Sequence, residues 1–173
     1  MGKGARTGTG RHDPSTPDDG GAVPQAFSPR GSDAPCAFCA VVRGDAPADV
    51  VHRGERLLAF LDAHPLFPGH VLLAPVVHVP TYDELPADLA REWLVTGQAL
   101  QRAVEAATGA EGALLLVNNV VSQSVPHLHQ HVVPRSRGDG LRFFLGPRHR
   151  YAEGEAAEVA ARIRERMAHR APG

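Results

Sequence analysis

Between Pro126 and Pro134 the chain reads Pro-His-Leu-His-Gln-His-Val-Val-Pro, with histidine at 127, 129 and 131. A β-strand sends alternate side chains to opposite faces. The spacing therefore predicts a strand over His127–Pro134. His127, His129 and His131 share one face, and Leu128, Gln130 and Val132 share the other. A polar face of this kind is ordinarily the wet side of a half-buried strand, but such a side normally mixes charges. Three imidazoles in register point to chemistry. Cα atoms two apart on a strand are separated by roughly 6.7 Å, and four apart by roughly 13 Å. Neighbours can share an ion with bonds of about 2 Å, but the outer pair reaches one ion only with difficulty. No Asp or Glu lies between Glu111 and Asp139 to complete a metal site locally. At most one or two of these histidines are expected as metal ligands, which leaves the rest free to react.

The flanking sequence predicts an α+β domain with a mainly antiparallel sheet. Val50–His52 and Leu57–Leu61 read as strands joined by a turn at Arg53–Arg56, and Pro65–Gly69 as a loop. His70–Pro75 and Gly112–Asn118 are short apolar runs bounded by breakers, the mark of buried strands. Pro86 suits the first turn of a long helix. Leu89, Trp93, Gly97, Leu100 and Val104 follow at helical spacing, and Gly109 closes it. Residues 153–169 predict a C-terminal helix with arginines on its solvent side.

Residues 1–34 are rich in Gly, Pro, Ser, Thr and Asp and show no hydrophobic period. They cannot bury enough apolar surface to offset their ordering entropy, so a disordered tail is expected, with one domain over 35–173. The 43% hydrophobic content of the chain supports a packed core. A net charge of −1 gives no field to attract nucleic acid or an anionic membrane. No apolar run approaches the length of a membrane span and no leader is evident, so a cytoplasmic protein is expected. Lys3 is the only lysine, and nearly all positive charge is arginine. Cys36 and Cys39 are the only cysteines, spaced as metal ligands or a redox pair.

The triad, preceded by Gln123-Ser124-Val125 and followed by Pro134-Arg135, resembles the histidine triad (HIT) superfamily of nucleotide hydrolases and transferases. The resemblance extends over about residues 36–150. Cys36-Ala-Phe-Cys39, Leu58-Ala-Phe-Leu-Asp62, Pro68-Gly-His-Val-Leu-Leu-Ala-Pro75 and Val117-Asn118 stand in the family's order. Gln130 departs from it, because the family usually has an apolar residue there. Its place on the opposite face predicts an effect on packing. The resemblance implies a HIT-like fold, with a five-stranded sheet, one long central helix and a C-terminal helix. It also implies a homodimer.

By this resemblance His129 attacks the α-phosphorus of a nucleotide and forms a nucleotidyl-histidine. Its other ring nitrogen must be held by an acceptor, such as a backbone carbonyl. His131 donates a hydrogen bond to phosphate oxygens. Gln123 and Ser124 contact the phosphate, and Ser124 assists the leaving group. Asp62 accepts from the ribose hydroxyls, and Asn118 (Asn119 in a shifted register) positions phosphate or ribose. Phe38 and Leu61 line the base pocket, and the substrate is a purine nucleotide. Each polar residue also has a plainer reading as a turn or strand-entry residue.

Cys36-x-x-Cys39 alone leaves zinc, redox pair or chance open, although a redox motif would need a thioredoxin-like βαβ context. Some bacterial members of the family, and the galactose-1-phosphate uridylyltransferases, look similar here. They bind zinc through two cysteines and two histidines, which map to Cys36, Cys39, His78 and His127. Such a site is closed and structural. Arg135, Arg137, Arg142, Arg148 and Arg150 follow the triad, either to hold a polyphosphate leaving group or as a solvated basic loop. The implied activity is cleavage at the α-phosphate of dinucleoside polyphosphates or nucleoside phosphoramidates. The alternatives are a zinc hydrolase using His129 and His131, and a non-catalytic nucleotide-binding module.

Overall fold

The computed structural model describes residues 36–141 and 150–168. The expected tail lies outside the described residues, as do Arg142, Phe143, Phe144, Arg148, His149 and His169. The chain divides into two compact units, Met1–Ser136 and Arg137–Gly173.

Among the described residues, the first element of this unit is a helix, α1 (Ala37–Arg43). Strands β1 (Val50–Arg53), β2 (Leu57–Leu61) and β3 (Val71–Pro75) follow, then the long helix α2 (Ala90–Thr108), β4 (Gly112–Val117) and β5 (Gln130–Arg135). The sheet has the order β1-β2-β3-β5-β4 and every neighbouring pair is antiparallel. This is the expected five-stranded α+β architecture.

Both faces of the sheet are covered, so β2 and β3 read as unbroken apolar runs. Leu57, Ala59, Val71 and Leu73 pack with Leu128 and Val132 against Trp93, Leu100 and Val104 of α2. Leu58, Phe60, Leu72 and Ala74 face the other way, toward Val41 and Phe38 of α1. Each fully buried aliphatic side chain contributes on the order of 1.5–3 kcal/mol. Gly97 of α2 leaves a notch. A Cβ there would lie 3.3 Å from the Gln130 side-chain oxygen, so the unusual glutamine fills space that the helix vacates. That is the packing role its face implied.

Most boundaries fall within a residue or two of the sequence expectation, and two differences have a clear physical cause. The triad strand is shorter than His127–Pro134, because only Gln130–Arg135 joins the ladder. Pro126 has no N–H, and the Leu128 N–H donates to the Val79 carbonyl at 2.6 Å, outside the sheet. The alternation of faces still holds: Leu128 is in the α2-side core, whereas His127 and His129 are turned toward α1. The long helix begins at Ala90, after a 3-10 turn over Ala87–Leu89 that Pro86 precedes. No expectation covered α1, which starts directly after Cys36 and ends on Gly44 in the left-handed region (φ 83°).

Gly69 anchors the loop before β3. Its φ is +90°, and a Cβ would meet the Thr108 methyl carbon at 2.5 Å. Gly69→Ala is expected to cost about 1–3 kcal/mol in chemical denaturation. A change within 0.5 kcal/mol would show that the loop adapts freely.

The second unit carries α3 (Glu155–Ala168), the expected C-terminal helix. Arg162, Arg164 and Arg166 are exposed on it, together with Ile163 and Met167. No helix of the described residues is long and apolar enough to cross a membrane.

Candidate active site

The three histidines lie between α1 and the sheet, and each ring is oriented by a different neighbour. His127 and His129 are buried, at 0% and 2% exposure. The His127 Nε2 lies 2.8 Å from the Pro75 carbonyl oxygen, which can only accept, so Nε2 carries the proton and Nδ1 is bare. His129 is held the opposite way. Its Nδ1 lies 2.7 Å from the His127 carbonyl oxygen, so Nδ1–H donates and Nε2 carries a lone pair. The backbone acceptor that a reactive imidazole requires is thus the carbonyl of the preceding histidine. Burial pushes the His129 pKa below its ordinary value, against the His127 carbonyl and the Asp62 charge, which raise it. Burial also lowers His127, to about 4, helped by nearby His78 and His129.

The bare Nδ1 of His127 faces two sulfurs. Cys36 Sγ is 3.5 Å away and Cys39 Sγ 3.6 Å, while His78 Nδ1 is 3.3 Å from Cys39 Sγ. All four candidate ligand atoms lie within 4.8 Å of one another. A tetrahedron with zinc–sulfur bonds near 2.3 Å and zinc–nitrogen bonds near 2.0 Å has sulfur–nitrogen edges of roughly 3.5 Å. The donor set and its spacing therefore fit zinc, with His127 oriented by a second-shell carbonyl. α1 makes this possible. Cys36 is its N-cap and Cys39 lies in its first turn, so the three-residue spacing brings both thiols to one place. The Cys39 thiol is pushed up by desolvation and by Cys36, with Arg43 opposing.

A cavity of about 690 Å³ lies beside the triad. Phe38, Val41, Phe60 and Leu72 make an apolar wall, while Asp62, Ser124, His129 and His131 supply polar groups. Leu61 lines it as well, and Phe38 sets its ring edge-on to His129 at 5.1 Å. Asn118 and Gln123 do not line it. The Gln123 amide is engaged elsewhere: it donates to the Pro80 carbonyl at 2.7 Å and accepts from the Val120 N–H at 3.0 Å. Asn119 accepts from the Tyr82 N–H at 2.7 Å. These side chains brace a loop in which Val120 (φ 69°) and Ser122 (φ 61°) sit in the left-handed region. For a β-branched valine that is costly backbone, held by the surrounding bonds.

One group escaped the sequence reading. Along the chain no carboxylate accompanies the triad, yet the fold brings Asp62 from the end of β2 to His131 and His70, their ligand-type atoms within 4.8 Å. The sequence placed His70 only at the start of the apolar run His70–Pro75. This histidine is buried, and its Nε2 lies 2.9 Å from His131 Nδ1. The one clue was a histidine opening an otherwise apolar strand.

An antiparallel α+β sheet whose oriented histidine triad, two of its rings buried, adjoins a cavity with one apolar wall defines the class. The comparisons name it. The HIT domain model matches residues 43–138, and the chain belongs to that family. Adenylylsulfatase HINT3 of Arabidopsis thaliana is 34% identical over 108 residues, covering 61% of this chain and 55% of that protein. The adenosine 5'-monophosphoramidase hnt1 of Schizosaccharomyces pombe is 34% identical over 102 residues, covering 58% of this chain and 74% of the relative. Among solved structures, a HIT family member from Bacillus subtilis superposes with a TM-score of 0.71 at 30% identity, covering 81% of this chain and all of that one. A zinc-bound histidine triad protein from Mycobacterium smegmatis gives 0.59 at 32% identity, over 75% and 96% of the two chains.

Proposed function

We propose that the protein is a nucleotide hydrolase or nucleotidyltransferase that cleaves at the α-phosphate through a covalent intermediate on His129. The observation that carries the reading is the lone pair of His129 Nε2, left bare by the bond from Nδ1–H to the His127 carbonyl. An imidazole kept neutral by burial is a competent nucleophile at neutral pH. His129 Nε2 forms a bond to the α-phosphorus as the bond to the leaving group breaks. The leaving group takes a proton from Ser124 or from solvent. Water then attacks the phosphorus and gives up a proton to Ser124 or to solvent, which replaces the one the leaving group took; the N–P bond breaks, and the nucleoside monophosphate leaves with His129 restored. Two easier displacements replace one hard one. His131 donates to a non-bridging oxygen as charge builds there.

The cavity supports a purine nucleotide: its apolar wall suits a base, and Asp62 at the rim suits ribose hydroxyls. A nucleoside phosphoramidate is the favoured substrate, by analogy with the relative named an adenosine 5'-monophosphoramidase, and a dinucleoside polyphosphate is the second class that the family resemblance implies. Gln123 acts here by bracing the loop that presents Ser124, and Asn118 is the asparagine left for phosphate or ribose. Cys36, Cys39, His78 and His127 would hold zinc, which supplies a structural cross-link. Zinc thiolates belong with a reducing cytoplasm. A homodimer is supported by Leu94 of α2 and Leu115 of β4, both exposed and lining one surface beside the sheet edge that β4 forms.

The test is chemical quench with an α-labelled nucleoside phosphoramidate. Acid-labile label should appear on His129 at up to one equivalent per chain. Turnover without any such adduct, under conditions that slow the hydrolytic step, counts against the covalent reading.

A further inference from the structure

His70 is 2% exposed and sits between the loop before β3 and the triad. The Leu66 N–H donates to its Nδ1 at 3.2 Å. A backbone N–H cannot point at another N–H, so Nδ1 carries a lone pair, and the proton of the neutral ring is on Nε2. That nitrogen is 2.9 Å from His131 Nδ1, so His70 donates and His131 accepts. The proton of His131 then resides on its own Nε2, which is buried and has no partner among the described residues. The opposite chain of tautomers would start from Asp62. Its Oδ2 is 3.5 Å from His70 Nδ1, beyond good hydrogen-bond range, and the Leu66 amide already occupies that nitrogen.

We propose that the Leu66 amide and His70 form a tautomer lock that keeps His131 Nε2 as a hydrogen-bond donor toward the reacting phosphate. His70 is then a positioning residue, and His131 is neither a base nor a metal ligand in the working site. The catalytic consequence rests on the proposed reaction, but the tautomer does not.

Two backbone groups thereby give neighbouring rings opposite characters. The His127 carbonyl makes His129 Nε2 a lone-pair donor, and the Leu66 amide makes His131 Nε2 a proton donor, with ring centroids 4.8 Å apart. A nucleophile and a donor to the developing negative charge are what phosphoryl transfer needs. The lock is rigidly mounted. The His70 N–H donates to the Phe67 carbonyl at 3.0 Å, the His70 carbonyl accepts from the Asp62 N–H at 2.9 Å, and Gly69 holds the turn. Burial keeps both rings neutral: it lowers His70, against Asp62, and lowers His131 to about 4.

Long-range proton–nitrogen correlation spectra of the full chain, labelled at histidine nitrogens, read the tautomers directly. His131, assigned by its loss in His131→Asn, is expected with a pyrrole-type Nε2 and a pyridine-type Nδ1. The reverse pattern overturns the lock. His70→Leu removes the donor and should give mixed His131 tautomers, with kcat down roughly 10- to 100-fold and KM little changed. His70→Gln restores an N–H and should recover most of the loss. A single Nε2–H tautomer in His70→Leu, or equal loss in both variants, overturns the lock. If His70→Leu does not fold, the wild-type spectrum and His70→Gln decide. The expected spectrum in a protein that turns over no nucleotide supports the lock and overturns the proposed reaction.

Discussion

His129→Asn is expected to lower turnover of a nucleoside phosphoramidate by roughly 10⁴-fold or more while the protein still folds and binds the product nucleotide. The asparagine amide can occupy the place of Nδ1 and keep a bond to the His127 carbonyl, so the local backbone loses little. What it cannot supply is the lone pair at the position of Nε2. The shorter side chain leaves some space at a site only 2% exposed, so a loss of about 1–2 kcal/mol is expected in denaturation, well short of unfolding. Nucleotide affinity should hold, because the apolar wall and Asp62 are untouched. Single-turnover rates with binding measured separately test both halves. A variant within tenfold of wild type would remove His129 from the chemistry. The pH profile adds a check with a definite sign. Burial lowers the His129 pKa, so the reactive neutral form persists below the usual imidazole range, and the acid limb of kcat/KM should fall below pH 6.5. A limb at or above the ordinary value would contradict the buried, neutral imidazole.

The fold was largely legible because its strongest signals are local. The apolar runs at Leu57–Leu61 and Val71–Pro75 are strands buried on both faces, and Trp93, Gly97, Leu100 and Val104 mark one buried stripe of α2. α1 was not legible. Seven residues, Ala-Phe-Cys-Ala-Val-Val-Arg, are too few and too uniformly apolar to show a helical period. The triad was visible as an alternation, but its strand was started three residues too early, since the bond from Leu128 to Val79 replaces a ladder bond only in three dimensions. Site residues divide the same way. The spacing of Cys36 and Cys39 announced ligand chemistry, and resemblance supplied His78 and His127 as partners that the fold now brings together. Gln123 and Asn119 hold loop bonds in the structure, and polar side chains in a loop before a triad carry no label for whether they bind a nucleotide, brace the loop or do both. His70 was missed because its meaning depends on a bond to His131, 61 residues away. Tautomers are set by single backbone groups, and no sequence pattern announces those.

Replacing Cys39 with alanine, or stripping metal with a chelator, is expected to give the largest loss of stability of any change here. The four candidate ligands come from separate places: α1 holds Cys36 and Cys39, the segment after β3 holds His78, and the approach to β5 holds His127. A metal among them ties α1 to the sheet, and α1 has little else to secure it, being seven residues with one buried side chain, Val41. Helices this short are not stable alone. Zinc binding in small domains is worth roughly 10–16 kcal/mol of apparent folding energy, but here most of the sheet and α2 pack without it. A share of about 3–5 kcal/mol would lower Tm by on the order of 10 °C. The metal-free thiols also set a direction with pH. Desolvation and Cys36 push the Cys39 thiol up, so it binds metal only by releasing its proton, and affinity should weaken as pH falls. The effect must reach the chemistry, because the His127 that faces the sulfurs also offers the carbonyl that orients His129. Metal loss should therefore lower kcat in parallel with Tm, whereas His129→Asn should lower kcat with its zinc retained. Elemental analysis should find about one zinc per chain in wild type and His129→Asn and none in Cys39→Ala. A wild-type protein that carries no zinc, with a Tm unmoved by added zinc or by chelator, would sink the structural-metal reading and leave the triad to stand on its packing alone.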